Sequence, residues 1–246
     1  FSPETPLNDA MGGSMSCYVD AGLTTYRHIG EKLEIGAGIY LTHFSNGAMK
    51  KPNKGVNVLA PKITIKYKPY GKFEYAKSPL PTYEKNIEDL TSIFAGVHNV
   101  LTVLARNQVN NQYNSNNYVV LGLDKRYLKR LSAKHALGIG FGVGYNQYVG
   151  TTYYVENREM KLKDANVMER FNLSAYLSYE FKIHRLNLFL EPGYYVYKSI
   201  YDKSESFFQR IGLRYQLNEK WFCAIGLRSQ YFSVAQYIEW GVGLRL

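Results

Sequence analysis

The chain of 246 residues has little cysteine, with Cys17 and Cys223 alone, and this excludes a disulfide-stapled scaffold. Its five histidines and two cysteines fall into no zinc spacing, so neither a metal site nor any cofactor is expected. No apolar run approaches the ~18 residues that a membrane helix needs, which excludes a helical membrane protein but not a barrel. Dense basic tracts are also missing. The excess of 30 Lys+Arg over 20 Asp+Glu is scattered singly along strand-like segments, with no nucleic-acid motif. A cationic protein among anionic lipids fits this charge, and a nucleic-acid partner is not expected. The glycines of 138–144 alternate with apolar residues and precede no helix, so they are no phosphate loop. The chain opens on Phe1 rather than Met and shows no signal peptide, which is read here as a processed chain or a fragment.

Aromatics are abundant: 23 Tyr, 12 Phe and 2 Trp make 15% of the chain, beside 21 Gly and only 8 Pro. Many Tyr and Gly with few Pro suggest many strands, and Tyr favours membrane–water interfaces. The decisive signal is period two. Leu186, Leu188, Leu190, Tyr194 and Val196 alternate with Asn187, Phe189, Glu191, Tyr195 and Tyr197, while Leu137, Ile139, Phe141 and Val143 alternate with glycines. Eleven strands are read, at 14–27, 32–45, 57–69, 91–106, 115–128, 133–149, 169–182, 186–198, 206–217, 220–230 and 235–246. At about ten to fourteen residues they match spanning strands better than those of a soluble sandwich. Mid-strand charges such as Arg210 and Arg214 face away from Ile211 and Leu213, the apolar-out, charged-in pattern of outer-membrane proteins. The expected fold is all-β, an antiparallel up-and-down transmembrane β-barrel of about 12–14 strands. Residues 1–246 are read as one barrel domain lacking N-terminal strands, because an odd visible count is unusual.

The charges expected to face the lumen are Lys62, Lys66, Asp124, Arg126, Glu180, Glu191, Arg210, Arg214, Arg228 and Glu239. They carry both signs, which suits a paired interior and leaves a small polar channel as the alternative. If the C-terminus lies in the periplasm, the turns at 183–185 and 217–220 fall there, and the longer 107–114, 150–168 and 199–205 fall outside. The irregular segment 70–90, with Pro79 and Pro81, is then a long periplasmic connection, and strand 32–45 ends at the cell-surface rim.

At that rim His43 and Ser45 continue the outward parity of Leu33, Ile35, Ala37, Ile39 and Leu41, and Asn57 shares the outward face of Leu59, Ile63 and Ile65. The hairpin thus brings three polar side chains to one lipid-facing patch. Polar groups there are costly and ask for a reason. A His beside a Ser can act as base for an oxygen nucleophile, with a third group fixing the tautomer. The residues equally fit polar groups at headgroup depth marking a strand's end. Lys50, Lys51 and Lys54 beside them read either as contacts for lipid phosphates or as an ordinary solvated loop.

The extended motif His43-Phe44-Ser45-Asn46-Gly47, followed by Pro52-Asn53-x-Gly55-x-Asn57, resembles the active-site hairpin of the lipid A 3-O-deacylases, or outer-membrane acyloxyacyl hydrolases. The closing Ile238–Gly243 and the strand Gln209–Tyr215 are similar to longer members of that family, as is the opening Pro6–Ala10. The resemblance implies a serine esterase at the outer membrane, its active-site rim toward the cell surface, acting on lipid A of lipopolysaccharide. It implies Ser45 as nucleophile and His43 as general base. Asn46 and Asn53 match the motif's asparagines, and they are expected, with Gly47, to hold the oxyanion or shape the loop. Short members carry Glu where this chain has Asn57, the expected third member. A non-catalytic barrel, acting as scaffold or subunit of an outer-membrane assembly, is the alternative function.

Overall fold

Segments that alternate at period two present one apolar and one polar face, and they form strands by pairing edge to edge with those faces aligned. A computed structural model describes residues 10, 13, 15–51, 53–71, 82–101, 115–151, 153–156, 159–162, 165–232 and 234–246. Pro52, Pro79, Pro81, residues 1–9, the expected strand end beyond 101 and the loop 107–114 lie outside the described residues. The long strands are β1 (Cys17–Ile29), β2 (Leu33–Ser45), β3 (Val56–Tyr67), β4 (Ile87–Leu101), β5 (Ser115–Arg130) and β6 (His135–Asn146). Past a small hairpin, β7 (Tyr153–Glu156) and β8 (Glu159–Leu162), follow β9 (Phe171–Ile183), β10 (Leu186–Tyr197), β11 (Phe207–Gln216), β12 (Trp221–Gln230) and β13 (Val234–Arg245). Among the described residues no helix is long and apolar enough to cross a membrane.

All eleven expected strands form, and the structure distributes them over two sheets. Eight close a barrel in the order β4-β5-β6-β9-β10-β11-β12-β13, and β1-β2-β3 form a separate antiparallel sheet. Closure comes from β13 pairing with β4, with Glu239 opposite Gly96 and Arg245 opposite Leu90. Eight strands leave an interior that side chains can just fill. The segment 150–168, expected as a plain loop, contains the β7–β8 hairpin.

The outer wall bears a membrane belt. Leu121, Leu123, Ile139, Val143, Leu177, Ile211 and Leu213 are exposed in mid-strand. Exposed Tyr127, Tyr179, Tyr215 and Trp221 ring the end with the short β5–β6, β9–β10 and β11–β12 turns. At the end with the long connections the exposed aromatics are Tyr194, Tyr197 and Phe207 on β10 and β11, with Tyr231 and Phe232 after β12. Two aromatic girdles around an aliphatic band are the mark of a membrane-spanning barrel. Tyr197 was expected to face inward. A register shift between Tyr195 and Tyr197 turns it outward and leaves Tyr195 buried.

Inside, Arg210 lies 2.8 Å from Asp124, 2.7 Å from Glu191 and 3.3 Å from Glu239. Arg126 holds Glu191 at 2.8 Å, Arg228 holds Glu239 at 2.7 Å, and Arg214 pairs with Glu180. Inward glycines make room for the rings stacked on these guanidiniums. A Cβ on Gly140 would stand 2.2 Å from the Tyr176 ring, which itself lies 4.4 Å beneath Arg210. The interior is therefore the paired one, but Lys62 and Lys66 are not part of it. They belong to the separate sheet, over the rings of Tyr40 and Tyr26 at 4.4 and 3.6 Å, because β3 does not enter the barrel wall. With Arg210, Glu191 and Glu180 at 0–1% exposure across the lumen, the barrel is expected to pass no steady ion current. Planar-bilayer recording checks this, and stable single-channel steps would contradict it.

Candidate active site

The site is built by the β2–β3 hairpin. His43 on β2 stands directly opposite Asn57 on β3, and Cys17 on β1 stands opposite Ser45. Side chains two apart on a strand share a face. His43 and Ser45 therefore end the face that carries the exposed Ile39, Leu41, Leu59, Ile63 and Ile65. His43 Nδ1 and Asn57 Oδ1 are 2.7 Å apart, which makes Nδ1 the protonated nitrogen and leaves Nε2 as the basic one. Ser45 is 5% exposed, so the nucleophile candidate is shielded rather than spread on the open face.

The loop after Ser45 is fixed by its own polar groups. The Asn46 N–H donates to Asn53 Oδ1 at 3.0 Å, and Asn46 Nδ2 donates to the Lys50 carbonyl at 2.7 Å. Gly47 and Ala48 are both left-handed, at φ 60° and 61°, and the Gly47 N–H points to Ser45 Oγ at 3.4 Å. Gly55 is left-handed as well, at φ 71°, and its N–H donates to the Ala10 carbonyl at 2.9 Å. A Cβ there would lie 2.9 Å from the Phe44 carbonyl oxygen, 3.0 Å from His43 Cε1 and 3.4 Å from Ser45 Cβ. Imidazole and serine thus converge over Gly55, which only a residue without a side chain can occupy unstrained. Gly55→Ala is expected to lower any turnover at this site by about 10- to 100-fold, since a strained left-handed Ala costs ~1–2 kcal/mol and shifts both side chains. Steady-state kinetics beside an unchanged circular dichroism spectrum checks this.

The hairpin tip docks on the outside of the barrel. The Lys51 N–H donates to Asn99 Oδ1 on β4 at 2.8 Å, and Asn99 Nδ2 donates to Asn117 Oδ1 on β5 at 2.7 Å. A Cβ on Gly47 would stand 2.8 Å from Ile238 Cδ1 on β13 and 3.5 Å from Leu227 Cδ1 on β12. The candidate site therefore lies where the hairpin meets the barrel wall, at the end with the long connections. Burial against this seam pushes the Lys51 amine below its ordinary range.

All nine sequence-predicted residues, Ser45, His43, Asn57, Asn53, Asn46, Gly47, Lys50, Lys51 and Lys54, fall on this one hairpin. Asn53 spends its carbonyl on the loop, which fits the loop-shaping role. Lys50 and Lys54 are exposed, whereas Lys51 turns into the seam. Asn99, Leu227 and Ile238 were missed. Asn99 carried a usable signal, a polar residue continuing the outward run Ile93, Ala95 and Val97, the same anomaly that marked Ser45.

A belt of lipid-facing side chains, two aromatic girdles and a closed polar lumen define an outer-membrane β-barrel. The chain belongs to the lipid A 3-O-deacylase and acyloxyacyl hydrolase family: the model described as "Lipid A 3-O-deacylase (PagL)" matches residues 3–66, and that described as "Acyloxyacyl hydrolase, C-terminal domain" matches residues 90–246. The first match covers the three-stranded sheet with the hairpin, and the second covers the closed barrel. Membership implies lipid A deacylation, the hydrolysis of an ester, with lipid A as substrate and the outer membrane as its place. No curated protein matches the chain. Among solved structures it is similar to a de novo designed transmembrane β-barrel, at 11% identity over 64% of this chain and 95% of that one, TM-score 0.36. A mutant Rhodopseudomonas blastica porin aligns at 7% identity over 94% of this chain and 91% of that one, TM-score 0.20.

Proposed function

We propose that the protein is a serine esterase that removes an ester-linked acyl chain from lipid A at the membrane-facing rim, on the cell-surface side. The observation that carries this is the 2.7 Å contact between His43 Nδ1 and Asn57 Oδ1, which leaves Nε2 as the basic nitrogen of an imidazole that converges with Ser45 over Gly55. Ser45 gives its proton to Nε2 and attacks the ester carbonyl. The oxyanion forms against the Gly47 N–H, which points to Ser45 Oγ, while the Asn46 N–H is engaged by Asn53. The sugar hydroxyl leaves with the proton from His43, and water then releases the fatty acid from Ser45. A face of Ile39, Leu41 and Leu59 below the site lets the acyl chain remain in its leaflet. Lys50 and Lys54, exposed beside it, suit the phosphates of lipid A.

The test is mass spectrometry of lipid A incubated with the detergent-folded protein, wild type beside Ser45→Ala. Loss of one acyl mass with wild type alone is the expected result. Lipid A left intact by wild-type protein that still migrates as a folded barrel would sink the esterase and favour the scaffold, with Asn57 in place of an acid as its reason.

A further inference from the structure

The barrel's opposite end holds a second polar feature that the esterase reading does not use. At the short-turn mouth the lumen opens into a cavity of about 630 Å³, within the range of small-ligand pockets. Among the described residues Arg130, Lys134, Lys182, Arg185 and Arg245 line it, against Glu88, while Glu180 stands 3.4 Å from Lys182 Nζ. Glu88 is shared three ways. Its Oε2 lies 2.8 Å from Lys182 Nζ and 3.6 Å from Arg245 Nη2, and its Oε1 lies 3.6 Å from Arg130 Nε. The tight contact goes to Lys182; Arg130 and Arg245 stand farther off with partly exposed side chains, and Arg245 Nη2 also donates to Gln216 Oε1 at 3.2 Å. Lys182 and Glu88 are both buried, so this is a built floor rather than a patch of surface lysines.

The strand ladders run to the rim: the Lys182 N–H donates to the Lys134 carbonyl at 2.7 Å, and the Gln216 N–H donates to the Arg185 carbonyl at 2.8 Å. The backbone that carries Lys134, Lys182 and Arg185 is thereby anchored at the mouth. Planar guanidiniums facing one cavity select oxygens arranged as in a phosphate, which they grip in bidentate fashion.

We propose that this vestibule is a binding site for a phosphate-bearing group of at least two negative charges, remote from Ser45 and independent of the esterase. The phosphate can come from a lipid headgroup at that membrane surface or from a soluble phosphorylated compound. The probe is pyrophosphate, titrated calorimetrically at low salt into the full chain folded in detergent. Saturable binding is expected, weakened about tenfold by Arg130→Gln and about a hundredfold by Arg130→Gln with Arg245→Gln. Both variants leave Glu88 paired with Lys182, so the barrel is expected to keep its folded mobility. Lys203→Gln, exposed in the connection at the other end, is expected to bind like wild type. Repeating the titration in nanodiscs separates the sources. Abolition by phosphatidylglycerol but not by phosphatidylcholine assigns the site to a headgroup, and retention in both assigns it to a soluble compound. No saturable binding by folded wild type, or a loss in Lys203→Gln equal to that in the double variant, overturns the proposal.

Discussion

Replacing Ser45 by Ala is expected to lower lipid A deacylation by about 10⁴- to 10⁶-fold while the barrel folds unchanged. The size follows from losing the covalent route, since what remains is binding and an oxyanion donor without a nucleophile. His43→Ala is expected to fall nearly as far, and the double variant no further, because nucleophile and base act as a unit. That non-additivity separates a working pair from two polar residues that merely line a rim. Asn57 gives a finer comparison. Its side chain fixes the His43 tautomer through the 2.7 Å contact, so Asn57→Leu is expected to cost about 10²-fold. Asn57→Glu is expected to raise the rate, because a carboxylate stabilises the imidazolium that an amide only orients. Release of fatty acid from purified lipid A measures all five variants. A Ser45→Ala protein that deacylates at the wild-type rate would remove the serine mechanism altogether.

The second large effect is structural. Arg210→Ala is expected to destabilise the barrel by about 3–5 kcal/mol, the cost of breaking a buried ion network by removing one partner. Arg210 touches Asp124, Glu191 and Glu239 at once, and each is nearly or fully buried. Removing the guanidinium sets three carboxylates against one another with Arg126 and Arg228 left to compensate. Urea unfolding from detergent, followed by tryptophan fluorescence, measures it. A midpoint equal to that of wild type would mean that the lumen network adds nothing to stability.

How far the site could be read before the structure depended on parity. His43, Ser45 and Asn57 were legible because three polar residues interrupted runs of outward aliphatics, and the register of β2 with β3 brings His43 and Asn57 face to face as that parity required. The seat of the loop after Ser45 was not legible, since Gly47 packs close to Ile238 and Leu227, nearly two hundred residues away in sequence and on strands of the other sheet. Gly55 stands in the motif with no role that spacing assigns it. Its need for a left-handed turn becomes visible only when the Phe44 carbonyl and the His43 ring are both placed over it.

The sequence by itself determined that this is a membrane barrel protein with eleven long strands, which face of the barrel strands is apolar along most of their length, and which hairpin carries the polar cluster. Period two records the environment on either side of a strand, residue by residue, and needs no partner to be read. Tertiary structure alone decided that eight strands close while three stand apart, that Tyr197 turns outward at a bulge, and that Lys62 and Lys66 stay out of the lumen. Alternation is blind to these choices, because any edge strand can pair with any other. The choice between them falls to the ring as a whole, through the stagger that lets β13 meet β4 and the fit of four arginines among the glycines of the wall.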